Sequence, residues 1–254
     1  MGQVMNLMAI IQARMGSTRL PAKIMKKING HTVLDHVLAR VRACPRLHGI
    51  VVATTTAPAD DAVMAESVKQ GARCFRGSES DVLSRYCLAA RENRADVIVR
   101  ITSDCPLYDP ELLTEMLDEF QAKIAAGNQV DYLSNTLVRT FPRGLDTEIF
   151  TGEALERAHQ EARLPFEREH VTPYFYQNPQ KFALHSFRQA ADLSGYRWTL
   201  DTPADLRFME AVYAALDRHG RLFTTREVLG LLQRQPELAA INAHVEQKKL
   251  GDKP

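Results

Sequence analysis

Short apolar runs alternate with stretches of helical period through the first half of this chain, and that rhythm admits few folds. Leu7 to Ile11 is an apolar run that stops at Gln12. After a turn at Asn29-Gly30, Val33, Leu34, Val37, Leu38 and Val41 recur at helical spacing up to Cys44-Pro45. Ile50 to Ala53 reads as a second buried strand, running into Thr54-Thr55-Thr56, and Asp60 to Gln70 reads as a second helix closed by Gly71. Strand followed by helix followed by strand predicts a parallel sheet flanked by helices.

The same alternation continues. A short strand at Arg73 to Phe75 leads through Arg76-Gly77-Ser78-Glu79-Ser80-Asp81 into a helix carrying Val82, Leu83, Tyr86, Ala89 and Ala90, with Ser78 or Ser80 as its expected cap. Val97 to Ile101 is the next strand and empties into Thr102-Ser103-Asp104-Cys105-Pro106-Leu107. Asp109-Pro110 then starts a helix with a capping acid and a first-turn proline. Val130 to Leu133 reads as a strand, after which the rhythm breaks at the turn-rich Phe141-Pro142-Arg143-Gly144-Leu145-Asp146-Thr147-Glu148. A Thr151-capped helix follows, and Lys181 to Phe187 and Tyr196 to Leu200 read as late strands. Thr202, Pro203 and Asp205 spell a capping box for a further helix. The expectation is one domain over residues 1–254, with 138–190 as an insertion serving as acceptor lid or dimer contact. The polar tail from Asn242 onward is expected to fray.

The ends of the strands are where chemistry is expected, because ligands of open parallel sheets bind beyond the carboxyl ends of the strands. The first strand opens into a loop holding Arg14, Gly16, Ser17, Arg19, Pro21 and Lys23. Gly16 would let the backbone take a positive φ and approach a ligand, Ser17 and neighbouring amides would donate to phosphate oxygens, and the three cations supply charge. Neither a Walker loop nor a dinucleotide fingerprint is present. Charge distribution agrees: residues 1–50 hold eight Lys or Arg against one acid, Asp35, a balance of +7 against −6 for the rest. An anionic ligand fits that asymmetry, whereas a net charge of +1 and the lack of an RNA or helix-turn-helix motif argue against nucleic acid.

Asp104 and Asp201 each stand at a predicted strand end with a proline two residues on, and neither is needed as a helix cap. Such a pair suits Mg²⁺, which takes one or two carboxylates together with phosphate oxygens and water. Cys44, Cys74, Cys87 and Cys105 have no metal or redox spacing and read as free, mostly buried thiols. No apolar run approaches the roughly 20 residues that span a bilayer, and the first residues lack a secretory pattern, so a cytoplasmic protein that does not engage membranes is expected.

Ala13-Arg14-Met15-Gly16-Ser17-Thr18-Arg19-Leu20-Pro21-Ala22-Lys23 resembles the amino-terminal signature of the cytidylyltransferases that make CMP-activated sugar acids, of the CMP-Kdo and CMP-sialate synthetase type. The Thr-Ser-Asp-Cys-Pro-Leu and Leu-Asp-Thr-Pro-Ala-Asp-Leu stretches carry the same resemblance, nearest to the spore-coat polysaccharide branch. It implies an α/β fold with a mostly parallel open sheet, Rossmann-like and GT-A-like. It also implies CTP as substrate, Mg²⁺ on Asp104 and Asp201, an anionic sugar acceptor and a homodimer. Ala13, Arg14, Gly16, Ser17, Arg19, Lys23, Arg76, Ser78 and Asp104 become the candidate nucleotide-binding residues, with Arg14, Lys23 and Asp104 catalytic. Arg143, Glu148, Arg168 and His170 become the candidate acceptor residues. A nucleotide-sugar glycosyltransferase and a non-catalytic nucleotide binder remain as alternatives, because one scaffold hosts many functions.

Overall fold

The computed structural model describes residues 5–217 and 221–247. The chain begins with β1 (Leu7–Gln12), a tiny hairpin of β2 (Lys27–Ile28) and β3 (His31–Thr32), and α1 (Val33–Arg42). Asn29 and Gly30, at φ 49° and 87°, make the two-residue turn of that hairpin. Thr32 then caps α1 by accepting from the Asp35 amide. β4 (Gly49–Thr55), α2 (Asp61–Lys69), β5 (Arg73–Gly77), α3 (Val82–Glu92), β6 (Val97–Thr102) and α4 (Pro110–Ala125) follow the expected alternation. The cap of α3 is Asp81, not Ser78 or Ser80. The Ser78 hydroxyl instead accepts from the Asp81 amide, and the carboxylate, one turn closer, takes the Ser84 amide.

The second half comprises β7 (Tyr132–Ser134), β8 (Glu148–Thr151), α5 (Gly152–Glu161), α6 (Pro165–His170), α7 (Pro173–Tyr176), β9 (Leu184–Ser186), α8 (Pro203–Leu216), α9 (Thr225–Arg234) and α10 (Pro236–Ala240). The main sheet has seven strands in the order β5-β4-β1-β6-β8-β7-β9. All neighbours pair in parallel except β8, which is antiparallel to both β6 and β7. Within the 138–190 segment, expected as an insertion, β8 therefore lies deep in the sheet and β9 forms its edge. Its entry is possible because Glu148, the charged residue at its start, is ion-paired to Arg100 on β6, while Ile149 and Phe150 are fully buried.

β1 is an interior strand, flanked by β4 and β6, and is buried on both faces, as parallel sheets with helices on either side require. Leu7, Ala9 and Ile11 point into a core with α1, α4, α8 and α9, while Met8 and Ile10 point into a second core with α3, α5 and α7. Two sequence expectations fail here. Tyr196 to Leu200 is no strand: it runs extended, with one bridge between Arg197 and Arg143 and the Leu200 amide donating to the Asp104 carbonyl. Asn242 is buried rather than frayed; of the tail beyond it, residues 248–254 lie outside the described residues.

Candidate active site

The loop after β1 is anchored from beneath. Ala13 is buried and its amide donates to the Ala53 carbonyl of β4, extending the parallel ladder by one residue. The Met15 amide donates to Asp60 Oδ1 at 2.7 Å, and the same carboxylate accepts from the Thr55 hydroxyl and amide at the end of β4. Asp60, only 3% exposed, thus fixes where the cationic loop leaves the sheet. Sequence reasoning placed it only as a helix start, since nothing local shows a contact 45 residues away.

Gly16 does not adopt the positive φ expected of it. The left-handed residue of the loop is Ala22, at φ 54°, immediately before the short 3₁₀ turn Lys23–Met25. A side chain at Gly16 would meet only the flexible Arg14 and Glu79 side chains at about 4 Å, so its smallness keeps the loop surface open rather than allowing a special backbone. Arg14 is half exposed and pairs with Glu79 at 3.2 Å, which joins this loop to the one before α3. Ser17 lies half-buried on the same loop, and Ser78 is exposed on the neighbouring one.

Lys23 is the focus of the site. Its ammonium donates to Asp104 Oδ2 at 2.6 Å and to Asp201 Oδ1 at 2.8 Å, and the three side chains keep only 15%, 21% and 12% exposure. Burial alone would lower the lysine's pKa, but the two carboxylates outweigh it and raise it. Burial likewise pushes Asp104 up, and Lys23 with the Thr102 hydroxyl wins, holding the carboxyl at about 2. Arg19 adds a third cation, 3.0 Å from Asp201 Oδ2. The two aspartates, 97 positions apart by sequence, therefore converge on one point at the carboxyl edge of the sheet.

Arg197 supports this cluster and was not singled out from sequence. It is buried and donates to Asp201 Oδ2 at 2.8 Å and to Asp205 Oδ1 at 2.9 Å, and Asp205 closes the capping box of α8 as expected. Gly144 enables the approach of the segment carrying it. At φ 104°, its would-be Cβ lies 2.2 Å from the Trp198 carbonyl oxygen, a contact that only glycine permits.

The remaining candidates divide. Arg76 is spent at the end of β4, donating to the Thr55 and Ala57 carbonyls and to Asp61. Arg168 is also tied down, at 2.5 Å from Asp81 and on to His159, so it staples α6 to the start of α3. Neither guanidinium faces the Lys23 cluster in these contacts. Glu148 lies at the base of a buried polar group with Arg100, which also donates to Gln12 at 3.0 Å, and with the Tyr132 hydroxyl at 2.5 Å. His170 is half-buried within electrostatic range of Arg100, and burial lowers its pKa, which keeps the ring neutral at pH 7. It precedes Val171, whose φ of 73° is strained for a β-branched residue. Arg143 lies beside Arg139 and Arg197, and burial followed by repulsion from Arg139 lowers its pKa. Its neighbour Arg139 is neutralised by Asp146.

Among the described residues no group of three or more His, Cys, Asp or Glu side chains converges on a metal-sized site. Two hard carboxylate oxygens meeting at a cation do suit Mg²⁺, whose remaining ligands are usually phosphate oxygens and water.

The family model described as cytidylyltransferase matches residues 8–230. The spore coat polysaccharide biosynthesis protein SpsF of Bacillus subtilis is 33% identical, over 92% of this chain and 97% of its own length. The structure of a cytidylyltransferase from Leptospira borgpetersenii superposes with a TM-score of 0.88 at 34% identity, covering 97% of this chain and all of that one. A CMP:2-keto-3-deoxy-manno-octonic acid synthetase complexed with CTP shares the fold, with a TM-score of 0.62 at 19% identity over 83% of this chain and 99% of that one. The chain belongs to the cytidylyltransferase family.

Proposed function

We propose that this cytidylyltransferase moves CMP from CTP to a sugar acid of the nonulosonate or octulosonate type, releasing pyrophosphate, as a step in making a surface polysaccharide. The observation that carries the reading is the meeting of Arg19, Lys23, Asp104 and Asp201 beside the loop that follows β1. In it, Arg14, Arg19 and Lys23 stabilise the β- and γ-phosphates as charge builds on the leaving group. Asp104 and Asp201 would hold Mg²⁺, which when bound supplies charge neutralisation on the phosphates. Rate enhancement then comes chiefly from positioning and electrostatics, with no covalent nucleophile.

The acceptor half is supported by two features. Arg143 offers a guanidinium whose pKa is lowered by burial and by neighbouring cations, a setting that favours an incoming carboxylate. Glu148 opens β8 opposite Arg100 of β6, and His170 lies within electrostatic range of the same arginine. A homodimer belongs to this reading and is checked by light scattering. The decisive test is a pyrophosphate-release screen of each NTP with Mg²⁺ against a panel of sugar acids. Release only with CTP and a sugar acid supports the reading. Sugar transfer from a finished nucleotide sugar without pyrophosphate would make the chain a glycosyltransferase, and CTP binding without turnover would make it a non-catalytic binder.

A further inference from the structure

The carboxylate of Asp201 is held by Arg197, and Arg197 is in turn held by the end of the described chain. Asn242, 2% exposed, donates from Nδ2 to the Arg197 carbonyl and to Asp205 Oδ1, both at 2.9 Å. Arg197 Nη1 donates to Gln247 Oε1 at 2.7 Å. The guanidinium is thus shared among Asp201, Asp205 and Gln247, and Asn242 pins both the backbone of Arg197 and the carboxylate that faces it.

Packing does part of this work, since Trp198 and Leu200 are buried in the core. Against Arg197, Trp198, Phe208, Asn242 and Ala243 lies a cavity of about 240 Å³, and the Trp198 indole nitrogen is buried without a hydrogen-bond partner among the described residues. On the side that faces the cavity the segment lacks the dispersion contacts that would help to lock it. There the polar ties of Arg197 hold it. The segment 196–200 forms no strand, and its backbone is tied by one bridge to Arg143 and by the Leu200 amide on the Asp104 carbonyl.

We propose that Asn242 and Gln247 are positioning residues, and that residues 242–247 clamp Arg197 so that it presents Asp201 to the transfer site. The proposal rests on the reading of Asp201 as a metal-holding residue of that site. It assigns a functional role to a stretch that lies beyond the matched family region, which ends at residue 230.

The test uses the full chain as wild type, Asn242→Ala, Gln247→Ala and Gln247→Glu. Hydrogen exchange is followed in peptides spanning 197–206 and 8–24, and CTP binding is measured by calorimetry with MnCl₂ and with EDTA. Asn242→Ala and Gln247→Ala should speed exchange in 197–206 about fivefold or more and weaken CTP about fivefold or more in Mn²⁺, roughly the loss of one hydrogen bond to a charged group. CTP affinity in EDTA and exchange in 8–24 should stay as in wild type. Gln247→Glu keeps the accepting oxygen and should behave as wild type. Gln247 is exposed, so its variants remain informative even if Asn242→Ala does not fold. Unchanged exchange in Gln247→Ala, or faster exchange with wild-type Mn²⁺-dependent CTP affinity, overturns the clamp. Equal CTP affinity of the wild type in Mn²⁺ and EDTA overturns the metal reading of Asp201 and the clamp's role with it, and does so before any variant is examined.

Discussion

Replacing Lys23 with Met keeps the length of the side chain and removes the charge that two carboxylates share. At pH 7 the variant faces Asp104 and Asp201 with no ammonium between them, although Arg19 and Arg197 still partner Asp201. Breaking a fully buried pair costs about 3–5 kcal/mol, and the residual exposure of 12–21% together with those arginines reduces this. An independent figure comes from Asp104, whose carboxyl is held at about 2 against an ordinary 3.8; that difference is worth on the order of 2 kcal/mol. At roughly 2–4 °C per kcal/mol for a chain of this size, melting in EDTA should fall by about 4–8 °C.

The sign of the pH dependence follows from the direction of each shift. Asp104 is depressed, so its contribution is present above about pH 4 and is lost as pH falls toward 2. Lys23 is raised, so the same pair contributes below about pH 10 and is lost as pH climbs through the raised value. The gap in melting temperature between wild type and Lys23→Met should be widest between about pH 5 and 9 and shrink in acid. A gap as large at pH 3 as at pH 7, or no gap at pH 7, refutes the internal ion pair as a source of stability.

Three further outcomes are expected. Arg14→Ala should weaken CTP far more than CMP, because its place on the loop suits the β- and γ-phosphates; equal losses by calorimetry would move it off the triphosphate tail. Asp104→Asn and Asp201→Asn should each cut pyrophosphate release by orders of magnitude while circular dichroism stays native, and near-normal turnover in both would end the metal assignment. Arg143→Ala should raise the acceptor KM about tenfold or more, the loss of one charge-assisted contact, with little change in melting, whereas Arg168→Ala should lower melting and leave that KM within about twofold. The reverse pattern would exchange the roles assigned to these two arginines.

The contrast between those arginines marks the limit of what local pattern reveals. β1, β4 and β6 were legible because buried parallel strands are continuous apolar runs, and the caps at Asp109, Thr151 and Thr202 because capping chemistry is local. Asp104 was legible as a strand-end acid. β8 was hidden, since a four-residue strand that starts with Glu148 looks like a polar turn until Arg100 is placed opposite it. Arg143 and Arg168 sit in equally suggestive sequence contexts, and only the distant Asp81 shows that Arg168 is occupied. Asp60, Arg197 and Asn242 owe their roles to partners that sequence proximity mostly does not supply. Tyr196 to Leu200 misled for the opposite reason: its apolar residues face the core without a neighbouring strand to make it part of the sheet.

The antiparallel strand β8 also imposes an order on synthesis. By residue 102 the chain holds β5, β4, β1 and β6, which pair with one another in parallel. The outer edge of β6, with its Val97, Ile98 and Val99 backbone, stays bare until Glu148–Thr151 emerges to cover it. A nascent chain that stops short of residue 148 offers that edge to any other strand in reach, the condition under which partly made α/β proteins aggregate. A chain whose synthesis pauses before Glu148–Thr151 has emerged therefore leaves that edge of β6 uncovered.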